Sequence, residues 1–220
     1  MLERILEEEI MDTEQSAREY AAFDNRVVNE EFVARALELA PVSGTVLDVG
    51  TGPGDISILL ATRNPRLEIL AIDLGSHMLE LARRKVAEAG VTRQVQIALM
   101  DAKATGLPSG SFDMIVCNSL VHHIPEPEAV FSEVQRLARS GAGLFIKDLE
   151  RPESLTELER LVDTYARDCT AYQRQTFFDS LHAGLTAREV ESICRRLSFS
   201  DVEVRRCSDR HWCLERRATP

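Results

Sequence analysis

No stretch of this chain approaches the ~18 consecutive apolar residues that a membrane span needs. An export signal is not expected either, because Leu2 to Ile10 carries Glu3, Glu7, Glu8 and Glu9, where a signal peptide would be basic and then apolar. The five cysteines, Cys117, Cys169, Cys194, Cys207 and Cys213, contain no Cys-x-x-Cys pair and stand beside no ligand-spaced histidines. A disulfide framework and a metal cluster therefore both lack support, no metal site is expected, and a reducing cytoplasm is the expected compartment. Positive charge is in deficit: 26 Lys and Arg against 36 Asp and Glu leave a net charge of −10. That balance repels polyphosphates and anionic membranes and favours a small or neutral partner over nucleic acid. Arg205, Arg206, Arg210, Arg216 and Arg217 gather near the end, but acids lie among them, as on a solvated strand edge. Internal repeats and low-complexity tracts are missing too.

What the chain does have is an ordinary globular balance, 44% hydrophobic and 28% charged, over 220 residues, enough for one well-buried α/β domain. Residues 1–40 read as a helical extension, with helices over Glu14–Phe23 and Val27–Leu39, in front of a domain spanning 41–220. The pattern then alternates: strand Val46–Val49, helix Ile56–Thr62, strand Glu68–Ile72, helix His77–Ala89, strands Val95–Leu99 and Met114–Asn118, helix Glu128–Arg139, strand Leu144–Asp148. Helices Leu155–Arg167 and Ala187–Leu197 follow, then strands Val202–Cys207 and His211–Arg216. Alternation of this kind predicts a parallel sheet with right-handed crossovers. About three residues separate the last two strands, too few for a crossover, so they form an antiparallel hairpin. Asp168 to Ala183 is expected to lie over the strand ends, held by Tyr172, Phe177 and Phe178.

In an open parallel sheet, ligands bind outside the carboxyl ends of the strands. Val46 to Ala61 reads as strand, glycine turn (Gly50, Gly52, Gly54) and helix, a turn in which a ligand can approach bare main chain beside unpaired helix N–H groups. Asp48 precedes the turn, and Asp73, 19 residues past Gly54, ends the second strand at a position suited to a carboxylate accepting ribose hydroxyls. Asp101 with Ala102, Asn118 with Ser119, and Asp148 follow the third, fourth and fifth strands. A nicotinamide dinucleotide would also suit Asp73, but Asp55 and Asp48 flank the turn with negative charge, unfavourable to a pyrophosphate and favourable to a ligand with an ammonium or sulfonium.

With these residues placed, the chain resembles a class I S-adenosylmethionine-dependent methyltransferase, from about Val46 through the terminal hairpin. The resemblance implies a Rossmann-like three-layer sandwich with a mostly parallel seven-stranded sheet and an antiparallel C-terminal hairpin. It also implies S-adenosylmethionine as cofactor, with S-adenosylhomocysteine as product. In that family the turn from Asp48 to Gly54, Thr51 included, borders the methionine and ribose; Asp73 binds the ribose; Leu74 and Met78 lie near the adenine; Asp101 and Ala102 read it; and Asn118 lies under the methionine part. Two departures narrow the acceptor. Asn118-Ser119-Leu120-Val121 stands where methylases of base amines or glutamine amides have Asn/Asp-Pro-Pro-Tyr/Phe, and the cysteine trio of arsenite methylation is missing.

Methyl transfer from a sulfonium needs alignment, and a base only where the acceptor carries a proton. His122 and His123, just past the fourth strand, are the candidates; in the competing reading they have no catalytic part, one packing beneath the Pro125–Pro127 loop and the other exposed. Asp148 and Arg151 are read either as contacts to a polar acceptor or as a solvated pair at a helix start, Trp212 as sheet packing rather than pocket lining, and Tyr20, Phe23 and Asp24 either as parts of a lid or as a helix that only covers the sheet. A small-molecule acceptor fits the compact size and acidic charge. The alternatives are an RNA or protein methyltransferase docking through the C-terminal arginines, a nicotinamide-dependent oxidoreductase, and a protein that binds S-adenosylmethionine without catalysis.

Overall fold

A computed structural model describes residues 2–7 and 25–219. The expected helix Glu14–Phe23, and with it Tyr20, Phe23 and Asp24, lies outside the described residues. From Arg26 onward the helices are α1 (Arg26–Leu39), α2 (Asp55–Arg63), α3 (Ser76–Glu88), α4 (Pro127–Leu137), α5 (Leu155–Tyr165), α6 (Ala171–Ala183) and α7 (Ala187–Arg196). The strands are β1 (Gly44–Val49), β2 (Leu67–Asp73), β3 (Val95–Leu99), β4 (Phe112–Asn118), β5 (Ala138–Leu149), β6 (Glu203–Arg206) and β7 (His211–Arg216). They form one sheet in the order β3-β2-β1-β4-β5-β7-β6, with β1 to β5 parallel and β7 antiparallel to both β5 and β6.

The period-two alternation of side chains sorts each strand between two cores. Leu47 and Val49 of β1, Ile115 and Cys117 of β4, Leu144 and Ile146 of β5, and Trp212 and Leu214 of β7 face one side, against Phe131 and Val134 of α4 and Val190 and Ile193 of α7. Val46, Met114, Val116, Phe145 and Cys213 face the other, against Phe32 and Ala36 of α1 and Leu60 of α2. Both faces are covered, which is why these strands read as continuous apolar runs. Trp212 is fully buried in the first core, its ring 6.2 Å from that of Phe131, as sheet packing requires.

One boundary departs from the sequence reading. Helix α4 stops at Leu137, and Ala138 (φ −66°, ψ 128°) already runs extended, so Arg139 belongs to β5. The helical pattern of Glu128–Arg139 is overridden because Ala138 pairs with Phe112 and the Arg139 guanidinium binds Asp113. A third, smaller core joins Leu149 to Leu158, Leu161 and Val162 of α5 and Leu181 of α6, with Leu2, Phe177 and Phe178 packed on it. The Asp168–Ala183 region is thus mostly helix α6, started by a Thr170–Gln173 capping box. Tyr172 does not help to hold it and is 49% exposed. Among the described residues, no helix is long and apolar enough to cross a membrane.

Candidate active site

The strand order reverses between β1 and β4, the point at which an open parallel sheet leaves a crevice at its carboxyl edge. A cavity of about 620 Å³ opens there. Gly50, the first residue of the turn after β1, has φ +71°, and a Cβ on it would sit 2.9 Å from the Leu120 side chain, so this crossing of two loops admits only glycine. Gly54 is different. It has φ +84°, a Cβ on it would sit 3.1 Å from the Ala82 Cβ on α3, and it does not line the cavity.

Two carboxylates shape the turn. Asp48 is buried, and its Oδ2 accepts from the hydroxyls of Thr51 (2.7 Å) and Ser57 (2.6 Å). Burial pushes its pKa up to about 6, against those two hydrogen bonds. Asp73 accepts from the Gly52 N–H on one oxygen and the Gly75 N–H on the other, both at 2.8 Å, which ties the β1 and β2 loops together and fixes the carboxyl at the cavity wall. Asp55, read from sequence as a second repelling charge, is paired with Lys85, so the negative character of the turn rests on Asp48 and Asp73.

The remaining predicted residues converge on the same cavity: Thr51 and Gly52 from the turn, Leu74 and Met78 after β2, Asp101 and Ala102 after β3, Asn118 after β4. Burial of Asp101 is outweighed by the Lys103 N–H and ammonium, 2.9 and 3.1 Å from its Oδ1, and its pKa lies below the usual value. Ser119, next to Asn118, holds a left-handed φ of 55°, an uncommon conformation for a residue with a side chain.

Past Ser119 the chain makes a short 3₁₀ turn, Val121–His123. Its anchor is Asp148 at the end of β5, 1% exposed, which accepts from the Val121 N–H (2.5 Å), the Leu149 N–H (2.6 Å) and His122 Nδ1 (2.5 Å). Burial pulls the His122 ring toward neutrality, but Asp148 and Glu7 outweigh it and hold its pKa above the ordinary value. Neither histidine is exposed: His122 is buried, His123 nearly so, their rings 4.1 Å apart, and both line the cavity. Asp148 and Arg151 correct the sequence reading. Both are buried, neither lines the cavity, and Arg151 donates to the carbonyls of Leu2 and Gly184 and to Glu189.

Sequence reasoning missed the far wall. Residues 2–7 do not line the cavity but brace the histidine turn: Arg4 donates to the carbonyls of Ala183, His122 and Ile124, and Glu7 reaches both histidines, 3.5 Å from His122 Nε2 and 3.2 Å from His123 Nδ1. Tyr165, Cys169, Phe177 and Ser180 line the cavity from α5, α6 and their link, and Arg210 and His211 from the terminal hairpin. Arg210 stacks 3.4 Å above the Tyr165 ring and pairs with Asp209. Burial, with Lys147 and Arg210 nearby, pushes the His211 pKa down to about 3, so the ring is neutral. These residues carry no motif; only the periodicity of their helices was readable. Arg205, on the edge strand β6 and 42% exposed, pairs with Glu215 as a solvated edge residue, whereas Arg216, on the interior strand β7, is 13% exposed against Asp201 and departs from that reading.

Comparison with known proteins adds to this geometry. A family model described as "Methyltransferase domain" matches residues 42–198. A phosphatidylethanolamine N-methyltransferase of Cereibacter sphaeroides is 38% identical over 103 residues, 47% of this chain and 49% of that protein. A ubiquinone biosynthesis O-methyltransferase of Xanthomonas euvesicatoria is 34% identical over 124 residues, 56% and 50% respectively. The chain thus spans about half the length of the curated relatives it matches. The structure of a SAM-dependent methyltransferase from Aquifex aeolicus has the same fold, with a TM-score of 0.68 at 21% identity over 92% of this chain and 97% of that one. So does a phosphoethanolamine N-methyltransferase of Haemonchus contortus, in complex with S-adenosyl-L-methionine, with a TM-score of 0.71 at 18% identity over 94% and 58%. A turn built on Asp48 and Asp73 at the switch point of this sheet, together with a model match over most of the chain, leads to one conclusion: the chain belongs to the methyltransferase-domain family.

Proposed function

We propose that this chain transfers a methyl group from S-adenosylmethionine to a small-molecule acceptor. The observation that carries the reading is that one cavity joins the Asp73 and Asp101 carboxylates at one end to His122 and His123 at the other. The donor set suits the cofactor: Asp73, held by two N–H groups, has acceptor capacity for ribose hydroxyls, and Asp101 with the Ala102 N–H suits the amino edge of adenine. Leu74, Met78 and Met100 supply apolar walls for the base. Asn118 and the loop at Gly50 would flank the methionine part, where the charge of Asp48 and Asp73 favours a cationic centre. When bound, S-adenosylmethionine supplies a methyl on a sulfonium whose sulfur departs neutral, so the protein need provide no acid on that side.

The protein's own contribution is then alignment, exclusion of water and activation of the acceptor. We assign acceptor activation to His122 and His123, which face the chamber formed with Tyr165, Phe177 and Ser180. The relatives named as O- and N-methyltransferases of small molecules support an acceptor of that size. Helix α1 contributes Val28 and Asn29 to the cavity, and Asn25 joins them from just ahead of the helix, which supports a covering role for the N-terminal residues. Calorimetric titration of the chain with S-adenosylhomocysteine tests the reading: binding is expected, weakened at least about ten-fold in Asp73→Ala by loss of charge-assisted hydrogen bonds. Absence of binding at micromolar ligand would overturn it. Screening metabolite pools with methyl-labelled S-adenosylmethionine then identifies the acceptor by where the label goes.

A further inference from the structure

Among the described residues, one group of three potential metal donors gathers in space: Glu7, His122 and His123, with one ligand atom from each lying within 4.8 Å of the others. We propose that these residues form a binding site for a divalent cation of the zinc class at the acceptor end of the cavity. Glu7 Oε1 lies 3.5 Å from His122 Nε2 and 3.2 Å from His123 Nδ1. Bonds of ~2.0–2.1 Å in a tetrahedral site put neighbouring ligand atoms about 3.3 Å apart, so one ion can meet these atoms with little movement.

Three independent features point to a cation. Glu7 Oε1 is buried without a hydrogen-bond partner, while its other oxygen accepts from Ser180 at 3.3 Å. The nearest polar neighbours of Oε1 are the imidazole nitrogens of His122 and His123, and a buried carboxylate oxygen without a hydrogen bond is costly unless positive charge meets it. His122 also shows the second-shell arrangement of metal-bound histidines: Nδ1 donates to Asp148, itself held by the Val121 and Leu149 N–H groups, which fixes the ring and turns Nε2 toward Glu7. Finally, Glu7 and Asp148 bring two carboxylates to the pair, while the neighbouring guanidinium of Arg4 spends its N–H groups on the carbonyls of Ala183, His122 and Ile124.

Two histidines and one carboxylate leave a fourth position, and both histidines border the cavity, so that position faces the acceptor. The function assigned to the site rests on the methyl-transfer reading; cation binding itself does not. A hydroxyl bound there loses its proton to solvent more readily, its oxygen lone pair forms the new C–O bond, and the electrons of the broken C–S bond stay on sulfur. The site therefore favours an acceptor with an acidic hydroxyl over an amine.

The test is to strip the chain with a chelator and titrate it with Co²⁺, reading the visible ligand-field bands of a four-coordinate site. One equivalent is expected to bind, with affinity reduced about ten- to hundred-fold in Glu7→Gln and in His123→Ala and unchanged in the double variant Cys207→Ser, Cys213→Ser. Bands that persist unaltered in Glu7→Gln, that vanish with the cysteines, or that never form overturn the site. Retained far-UV circular dichroism and S-adenosylhomocysteine binding in Glu7→Gln show that the variant folds. Cobalt binding in a wild-type chain that does not bind S-adenosylhomocysteine would keep the site and remove the methyl-transfer reading.

Discussion

At the scale of single residues, Asp48 shows how a binding turn is held at the expense of stability. Its carboxylate is buried against Thr51 and Ser57, and burial raises its pKa to about 6 from an ordinary 3.8. A raised carboxyl pKa means that the folded chain holds the proton more tightly than the unfolded chain, so stability falls as pH rises from about 4 to about 6. Asp48→Asn keeps an acceptor for both hydroxyls and removes the buried charge. Denaturant unfolding from pH 4 to 8 is expected to show Asp48→Asn more stable than wild type by about 1–2 kcal/mol at pH 7, with the gap closing toward pH 4. S-adenosylhomocysteine affinity should fall in the same variant. A wild-type chain whose stability rises over that pH interval in step with the variant would contradict this account. The residue itself was legible, standing two positions before a glycine turn at a strand end. Its burial and hydroxyl partners were not, because Ser57 looks like any helix residue until α2 turns it back over β1.

At the scale of elements, Glu133 is the comparable case with the opposite sign. It lies on α4, accepts from the Thr105 N–H (2.9 Å), the Thr105 hydroxyl (2.6 Å) and both sides of the Arg136 fork (2.7 Å each), and so staples the loop ahead of β4 to the helix behind it. Arg136 is the main cause, ahead of the opposing burial, that draws its pKa down to about 2 from 4.5. The stabilisation is present above about pH 4.5 and is lost as pH falls toward 2. Glu133→Gln should cost about 2–3 kcal/mol at pH 7 in chemical denaturation, and the difference from wild type should shrink through that acid interval. A variant as stable as wild type at pH 7 would show that the staple contributes nothing. Helix and strand periods were enough to place the elements from α1 onward except α6, whose residues were expected only to lie over the strand ends, and the end of α4 was misplaced. Local pattern favours continued helix through Arg139, and the pairing of Ala138 with Phe112, remote in sequence, decides otherwise.

At the scale of the whole molecule, the cavity is walled by parts from nearly the full length of the chain, from α1 to the terminal hairpin. Ligand binding should therefore stabilise the fold as a unit: S-adenosylhomocysteine at a hundred times its Kd should add about 2.7 kcal/mol and raise the melting temperature, whereas Asp73→Ala, bound at least about ten-fold more weakly, should gain no more than about 1.4 kcal/mol at the same concentration. A melting temperature indifferent to saturating ligand would argue that the site does not form in the native chain. The carboxylate side of the cavity was open to reading because its residues stand at or just past the end of a strand whose period announces them, as Asp73 ends β2 and Asn118 closes β4. The acceptor side was not. Ser180, Tyr165 and His211 come from segments with no motif and share the cavity with His122 because α5, α6 and β7 fold over the same edge of the sheet, and Glu7 reaches His122 from the 2–7 segment, which Arg4 ties to the Ala183 and His122 carbonyls. Sequence alone therefore determined the sheet, the turn and the carboxylates that follow its strands into the cavity, since these depend on local spacing. Tertiary structure alone decided that Asp148 aims His122 at Glu7, because a contact between residues far apart in the chain leaves no period to read.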